Sequence, residues 1–242
     1  MNAAAAIPYG RALLAYFEGD HETELLLRRD DGFESIIPVG YFFREEAEFS
    51  LIERTAIDQC YGTVLDVGAG TGLHSLSLAT RGLEVNAIDI SPEAVKIMKR
   101  RGVHYCRQSD VFNYQGGPFD TVIMLGHGIG ITEDLSGLGR FLDFAHHLVR
   151  PDGQLILDSL DVSRSQNPAD LAYHDSCRKA GRYVGEINIQ FEFQDQCGPF
   201  CSWLHVDRQI LANFAVQANW TCEILVELDN GEYLARLRPM HR

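Results

Sequence analysis

The sequence predicts an α/β fold: a doubly wound, mostly parallel sheet covered by helices on both faces, with an antiparallel last strand. Three observations carry that expectation. From Thr63 onward, near-continuous apolar runs alternate with helical patterns. The first of these runs, "TVLDVG", turns straight into a loop holding Gly68, Gly70 and Gly72, and a helix follows. Near the C-terminus, Asn230-Gly231 separates "CEILVEL" from "EYLARL". Asn-Gly between two apolar runs is a strong short-range hairpin signal, and it reverses the last strand against its neighbour.

Residues 1–60 read as an N-terminal cap. A short amphipathic helix around Leu13, Leu14 and Phe17 leads into two strands around an Asp30-Asp31-Gly32 turn. A second helix is expected from about Glu45 to Cys60, with Phe49, Ile52 and Ala56 on one face. Residues 61–242 form the core. A helix over Gly72–Arg81 follows the first strand, and "LEVNAID" is followed by a helix that Ser91 caps and Pro92 opens. "VHYCRQ" and "FDTVIMLG" are the next strands. Thr132 or Asp134 starts a helix carrying Leu135, Leu138, Phe141, Leu142, Ala145 and Leu148 at helical spacing; "RPDG" ends it and "QLILDSL" follows. An insertion over about 161–207 opens with a polar stretch and continues as the strands "EINIQFEFQ" and "CSWLHVD". A helix from Arg208 to Trp220 precedes the terminal hairpin.

The 242 residues are 45% apolar and 23% charged, which fits one large domain or a domain with an appended cap, not a disordered chain. The formal net charge of -13 repels phosphate backbones and anionic lipid, so neither a nucleic acid nor a membrane is the expected partner. "MNAAAAIPYGR" lacks a charged leader, and no run approaches the ~18 apolar residues of a spanning helix. Six scattered cysteines fit a reducing cytoplasm better than a disulfide framework. Cys197 and Cys201 bracket "GPF", but no second pair stands at ligand spacing, so no metal is expected. A homodimer is compatible with these features.

Glycine lets a loop take positive φ and lets a ligand lie against bare backbone beside a helix N-terminus. The spacing here, G-x-G-x-G, differs from the G-x-G-x-x-G of dinucleotide folds and lacks the Lys-Ser/Thr ending of a phosphate loop. Asp66, just before the loop, would repel phosphates. The second strand ends in Asp89, where a carboxylate can accept from both ribose hydroxyls, and "SDVF" places Asp110 within reach of an adenine amino group. Together these features predict a nucleoside with a zwitterionic tail and no phosphates. For Asp89 and Asp110 a plain helix N-cap is the competing reading.

With "VLDVGAGTG", "AIDIS", "SDVF", "FDTVIMLG" and "LVRPDGQLILD" in this order, the chain resembles the class I S-adenosylmethionine-dependent methyltransferases, most specifically over residues ~60–160. The resemblance implies a Rossmann-like, seven-stranded sheet with an antiparallel last strand, and S-adenosyl-L-methionine as cofactor. It implies that Gly68, Ala69, Gly70 and Gly72 pack against the methionine portion, while Asp66 orients the loop or meets the amino group through water. Asp89 would then hold the ribose, Ile90 would lie on the adenine face, and Asp110 with Val111 would recognise adenine. Leu125 and Gly126 would flank the methyl-transfer end. Tyr41 and Arg44 from the cap would reach the cofactor carboxylate; in the competing reading Arg44 pairs with Glu45 or Glu48.

On the acceptor side, "LGHGIGITED" lacks the Asn/Asp-Pro-Pro-aromatic element of enzymes that methylate nucleic-acid amines, and the paired-glutamate loop of arginine methyltransferases is missing. Both absences point to methyl transfer onto O or N of a small molecule. His127, between Gly126 and Gly128, is the candidate base or acceptor anchor; otherwise it shapes its loop. His205 and Trp203, in the insertion, are candidate acceptor contacts. Phe200 and Tyr183 could join them, or all could form a hydrophobic seam. His146 and His147 read as surface or packing residues, and His74 as a packing or capping one. A non-catalytic cofactor-binding sensor or assembly subunit is the alternative. A nicotinamide-dependent oxidoreductase conflicts with the glycine spacing and the terminal hairpin.

Overall fold

The computed structural model describes residues 3–240. The chain begins with α1 (Ile7–Phe17), which carries Pro8 in its first turn, where a missing N–H removes no helical hydrogen bond. The hairpin β1 (Glu24–Arg29) and β2 (Glu34–Pro38) follows. Next comes α2 (Leu51–Gln59), which starts later than Glu45. The cause is a capping box: Ser50 Oγ accepts the Glu53 N–H, and the Glu53 carboxylate accepts the Ser50 N–H. Glu46–Glu48 forms a separate 3₁₀ turn before it.

The core then alternates through β3 (Thr63–Val67), α3 (Leu73–Thr80), β4 (Glu84–Asp89), α4 (Pro92–Arg101), β5 (Tyr105–Gln108) and β6 (Phe119–Met124). Ser91 caps α4 by accepting the Ala94 N–H, as expected from the sequence. Asp134, rather than Thr132, caps α5 (Leu135–Ala145), which leads into β7 (Val149–Leu160). The polar stretch beyond β7 holds an unanticipated helix, α6 (Pro168–Lys179), capped by Asn167. After β8 (Glu186–Phe193), β9 (Gln196–Cys197) and β10 (Cys201–Leu204), α7 (Arg208–Gln217) stops before Trp220. Asn219 takes a left-handed φ of 61° that breaks the helix, and Trp220 opens β11 (Trp220–Glu227). The Asn230-Gly231 turn joins it to β12 (Glu232–Pro239).

The main sheet has seven strands in the order β11-β12-β7-β6-β3-β4-β5. β12 runs antiparallel to both β7 and β11; the remaining pairings are parallel. This is the doubly wound, mostly parallel sheet with an antiparallel last strand that the sequence predicts. Its packed side centres on Phe141, Trp220 and Tyr233, and the Trp220 indole N–H donates to the Leu142 carbonyl at 2.9 Å.

The cap hairpin and the insertion share a second sheet. Its order is β10-β8-β1-β2, with β9 paired to β8, all antiparallel. Leu27 stands opposite Phe191, and Ile187 opposite Trp203. Strand alternation places Ile187, Ile189 and Phe191 on one face of β8 and Asn188, Gln190 and Glu192 on the other. Among the described residues no helix is long and apolar enough to cross a membrane. Nor, among them, does any group of three or more His, Cys, Asp or Glu stand as a potential metal site.

Candidate active site

A cavity of about 680 Å³ lies between the carboxyl ends of β3 to β6 and the apolar face of the second sheet. Gly68, Gly70 and Gly72 all have positive φ, at 73°, 56° and 79°. Their surroundings differ. A Cβ on Gly68 would meet nothing within 4 Å, so this backbone lies bare toward the cavity. One on Gly72 would stand 2.7 Å from Val103 Cγ2, so Gly72 serves the packing of the loop against α4 and does not line the cavity. Asp66 also stays out of the lining: it is 2% exposed and accepts from Ser75 Oγ at 2.6 Å. It therefore ties the end of β3 to the first turn of α3, and burial raises its pKa. Asp66 thus takes the loop-orienting position of its two expected roles, and Gly72, expected against the methionine portion, stands behind the loop.

Asp89 lines the cavity beside the exposed Gly68 backbone. Its Oδ2 accepts the Gly70 N–H and its Oδ1 the Ser91 N–H, both at 2.8 Å. Each oxygen keeps a further lone pair for a ligand hydroxyl. Burial raises the pKa of this carboxyl, and the N–H bonds pull it back. Asp110 caps the Val111–Asn113 turn through the Phe112 N–H at 2.9 Å and lines the cavity as well, so the cap does not withdraw it from the cleft. Ala69, Ile90 and Val111 belong to the same wall.

Tyr41 and Arg44 also reach the cavity, but the arginine fork is occupied. Arg44 donates to Glu53 at 2.9 and 3.3 Å and to the Tyr41 carbonyl at 2.8 Å, and its guanidinium lies 3.8 Å from the centre of the Tyr41 ring. Its acidic partner is thus neither Glu45 nor Glu48. Glu53 also meets His74 Nε2 at 3.0 Å. Burial alone would raise the Glu53 pKa; the bonds from His74 and the Ser50 N–H, with the charges of His74 and Arg44, outweigh it and hold the group at about 2. Glu53 was missed, although Ser50-x-x-Glu53 has the spacing of a capping box, and His74 was read only as a packing or capping residue.

At the end of β6, Leu125, Gly126 and His127 enter the cavity wall. His127 has a φ of 58°, unusual for a non-glycine residue. Its backbone N–H is held by both oxygens of Asp158, and its Nδ1 lies 3.7 Å from Asp158 Oδ2. Burial raises the pKa of Asp158; the His127 charge and N–H pull it back. Nδ1 of His127 and Nδ1 of His205 are both shut off from solvent with no hydrogen-bond partner among the described residues. The two rings lie 5.3 Å apart, centroid to centroid. Burial, with a smaller contribution from His127, lowers the His205 pKa to about 3, so its imidazole is neutral.

Asp158 was missed, although an acid inside the apolar run "LILDSL" is itself a signal. Trp203 lies against Gly130, where a Cβ would come within 2.0 Å of the ring. Tyr183 and Phe200 lie outside the lining: the Tyr183 hydroxyl donates to Asp207 at 2.7 Å, and Phe200 is exposed on the surface. His146 is remote too, bonding the Ala218 carbonyl at 2.8 Å and stacking on Trp220.

The arrangement fits a nucleoside with a cationic tail: a bare peptide at Gly68, carboxylates at the ends of successive strands, and no Lys or Arg projecting from the loop. Comparison with known proteins agrees. A methyltransferase-domain family model matches residues 64–153. Ubiquinone biosynthesis O-methyltransferases of Xylella fastidiosa and Xanthomonas oryzae pv. oryzae are 33% identical over 106 residues and 37% identical over 116 residues. These matches cover 40% and 43% of this chain and 42% and 46% of the relatives, so the chain spans less than half the length of the curated relatives it matches. The solved structure of an S-adenosylmethionine-dependent methyltransferase from Bacteroides fragilis, in complex with S-adenosyl-L-homocysteine, is 34% identical. It covers 100% of this chain and 98% of its own, with a TM-score of 0.86. The likeness runs through the whole chain as well as the glycine loop, and the chain belongs to the class I S-adenosylmethionine-dependent methyltransferases.

Proposed function

We propose that this enzyme methylates a hydroxyl oxygen of a small-molecule acceptor, with His127 as general base and Asp158 orienting it. S-adenosyl-L-methionine, when bound, supplies an electrophilic methyl group on a sulfonium. The Gly68–Gly70 backbone would hold the cofactor's amino-acid end, Asp89 its ribose, and Asp110 with Ile90 and Val111 its adenine. Residues 61–242 then provide the catalytic core, and the insertion over about 161–207 provides much of the acceptor side.

The observation that carries oxygen as the target is the His127–Asp158 pair. An amine reaches the site able to attack while uncharged and sheds its proton afterwards, whereas a neutral hydroxyl gains nucleophilicity when a base removes its proton. His127 Nδ1 faces Asp158, which leaves Nε2 for that proton. Asp158 then stabilises the imidazolium that forms. The names of the curated relatives, both O-methyltransferases, support the same target. The net charge of -13 favours a small acceptor over a nucleic acid. Nothing in the matches supports a non-catalytic sensor.

The test is a screen with carbon-13 methyl-labelled S-adenosylmethionine over small hydroxyl and amine compounds, read by NMR of the products. Label on oxygen is the expected result. Label appearing only on nitrogen would refute the proposal.

A further inference from the structure

We infer that the acceptor is an uncharged, largely apolar ring compound bearing a hydroxyl, seated on the cavity face of the second sheet with that hydroxyl between His127 and His205. This rests on the hydroxyl-methylation reading above and adds the substrate class. Six apolar side chains from four strands line this side of the cavity: Leu27, Ile37, Ile187, Ile189, Phe191 and Trp203. The strand period sends Arg28, Asn188, Gln190 and Glu192 the other way, and Arg29, which shares the cavity side of β1, stays out of the lining, paired to Asp31 and Asp170. Arg28 pairs with Glu192 at 2.8 Å, and Asn188 donates to Asp30 at 3.0 Å, on the outer face.

All six residues lie outside the segment 64–153 that matches the general methyltransferase domain. The sheet is therefore a feature added to the cofactor-binding core, and neither the cap hairpin nor the insertion builds its apolar face alone. Trp203, held against Gly130, offers a fixed aromatic plane for a ring to stack on.

Within this apolar wall His205 is the polar exception. Its ring lines the cavity with Nδ1 shut off from solvent, which leaves Nε2 as the nitrogen that can meet a ligand hydroxyl. Because the imidazole is neutral, it can hydrogen-bond a hydroxyl without calling for a charge on the acceptor. A carboxylate or ammonium on the ring would lose its water against apolar side chains and a neutral imidazole. The charged lining residues Glu133 and Arg140 come from the segment after β6 and from α5, not from this sheet.

The test is calorimetry on the full chain saturated with S-adenosylhomocysteine, using para-ethylphenol as probe. It should bind about tenfold or more tightly than para-ethyltoluene, which lacks the hydroxyl, than para-hydroxybenzoate, which adds a charge, and than myo-inositol, which lacks the apolar ring. Ile187→Asn should weaken para-ethylphenol by about tenfold while S-adenosylhomocysteine binds as before. If that variant fails to fold, Ile37→Asn on the edge strand should give the same loss. His205→Phe should erase the preference for para-ethylphenol over para-ethyltoluene.

Tighter binding of para-hydroxybenzoate or myo-inositol would overturn the inference, and so would unchanged affinity in the folded Ile187 or Ile37 variant. The two readings fail separately. Label on the oxygen of a sugar-like acceptor would retain hydroxyl methylation and remove the apolar seat. Label only on nitrogen, with para-ethylphenol still bound, would do the reverse.

Discussion

Both carboxylate oxygens of Asp158 accept the backbone N–H of His127, at 3.1 and 3.0 Å, and one of them also faces the same residue's Nδ1 at 3.7 Å. One buried acid thus holds the His127 main chain in its left-handed conformation and presents a negative charge to its ring. Asp158→Asn keeps an acceptor oxygen for the N–H and removes the charge. Turnover should fall by about tenfold or more, with S-adenosylhomocysteine affinity unchanged. A purely structural Asp158 would lower the thermal midpoint and leave the turnover of the folded protein in place.

Asp89 braces the glycine loop and lines the cavity where we place the cofactor ribose. Its two backbone bonds, to Gly70 and Ser91, fix the loop against β4 while the carboxylate faces the cavity. Asp89→Ala should weaken S-adenosylhomocysteine binding by about tenfold or more, measured by calorimetry. The thermal midpoint of the unliganded protein should drop as well, because the Gly70 and Ser91 N–H groups lose their acceptor.

The glycines of the loop should separate by substitution. Gly72→Ala meets Val103 at 2.7 Å at a position with φ of 79°, so it should destabilise the fold by ~1–3 kcal/mol in denaturant unfolding. Gly68→Ala carries the backbone penalty alone, since its Cβ would enter open space. Its larger effect should be on cofactor affinity, where the new methyl would occupy the ligand's path.

The Glu53 cluster predicts a specific acid lability. The folded pKa of about 2 lies below the ordinary 4.5, so the stabilisation is present above pH ~4.5 and is lost as pH falls toward ~2. Discounted for partial exposure, it amounts to ~2 kcal/mol. Unfolding free energies of the wild type and Glu53→Gln should converge over this interval; a constant difference would contradict the assignment.

Much of the core was legible because local chemistry and global fold agree there. The Ser91 cap, the positive-φ glycines and the Asn230-Gly231 turn act within a few residues, and each dictates its own backbone. Asp89 and Asp110 line the cavity as expected because a strand end places them predictably. What escaped depends on distant pairing. Arg44 found Glu53 nine residues on, from the end of one 3₁₀ turn to the first turn of α2, a pairing that no helical or strand periodicity shows. The joining of Leu27 to Phe191 and of Trp203 to Ile187 in one sheet is likewise a long-range register. Asp158 was hidden differently: its residue type conflicts with its strand, and such a conflict marks function more often than packing.

The most direct measurement is turnover of His127→Asn together with its S-adenosylhomocysteine affinity. Asparagine tolerates the left-handed backbone at this position, so the loop should survive while the imidazole is lost. Hydroxyl methylation should fall by about a hundredfold or more with cofactor binding intact. Turnover equal to that of the wild type would contradict base-assisted transfer at this site.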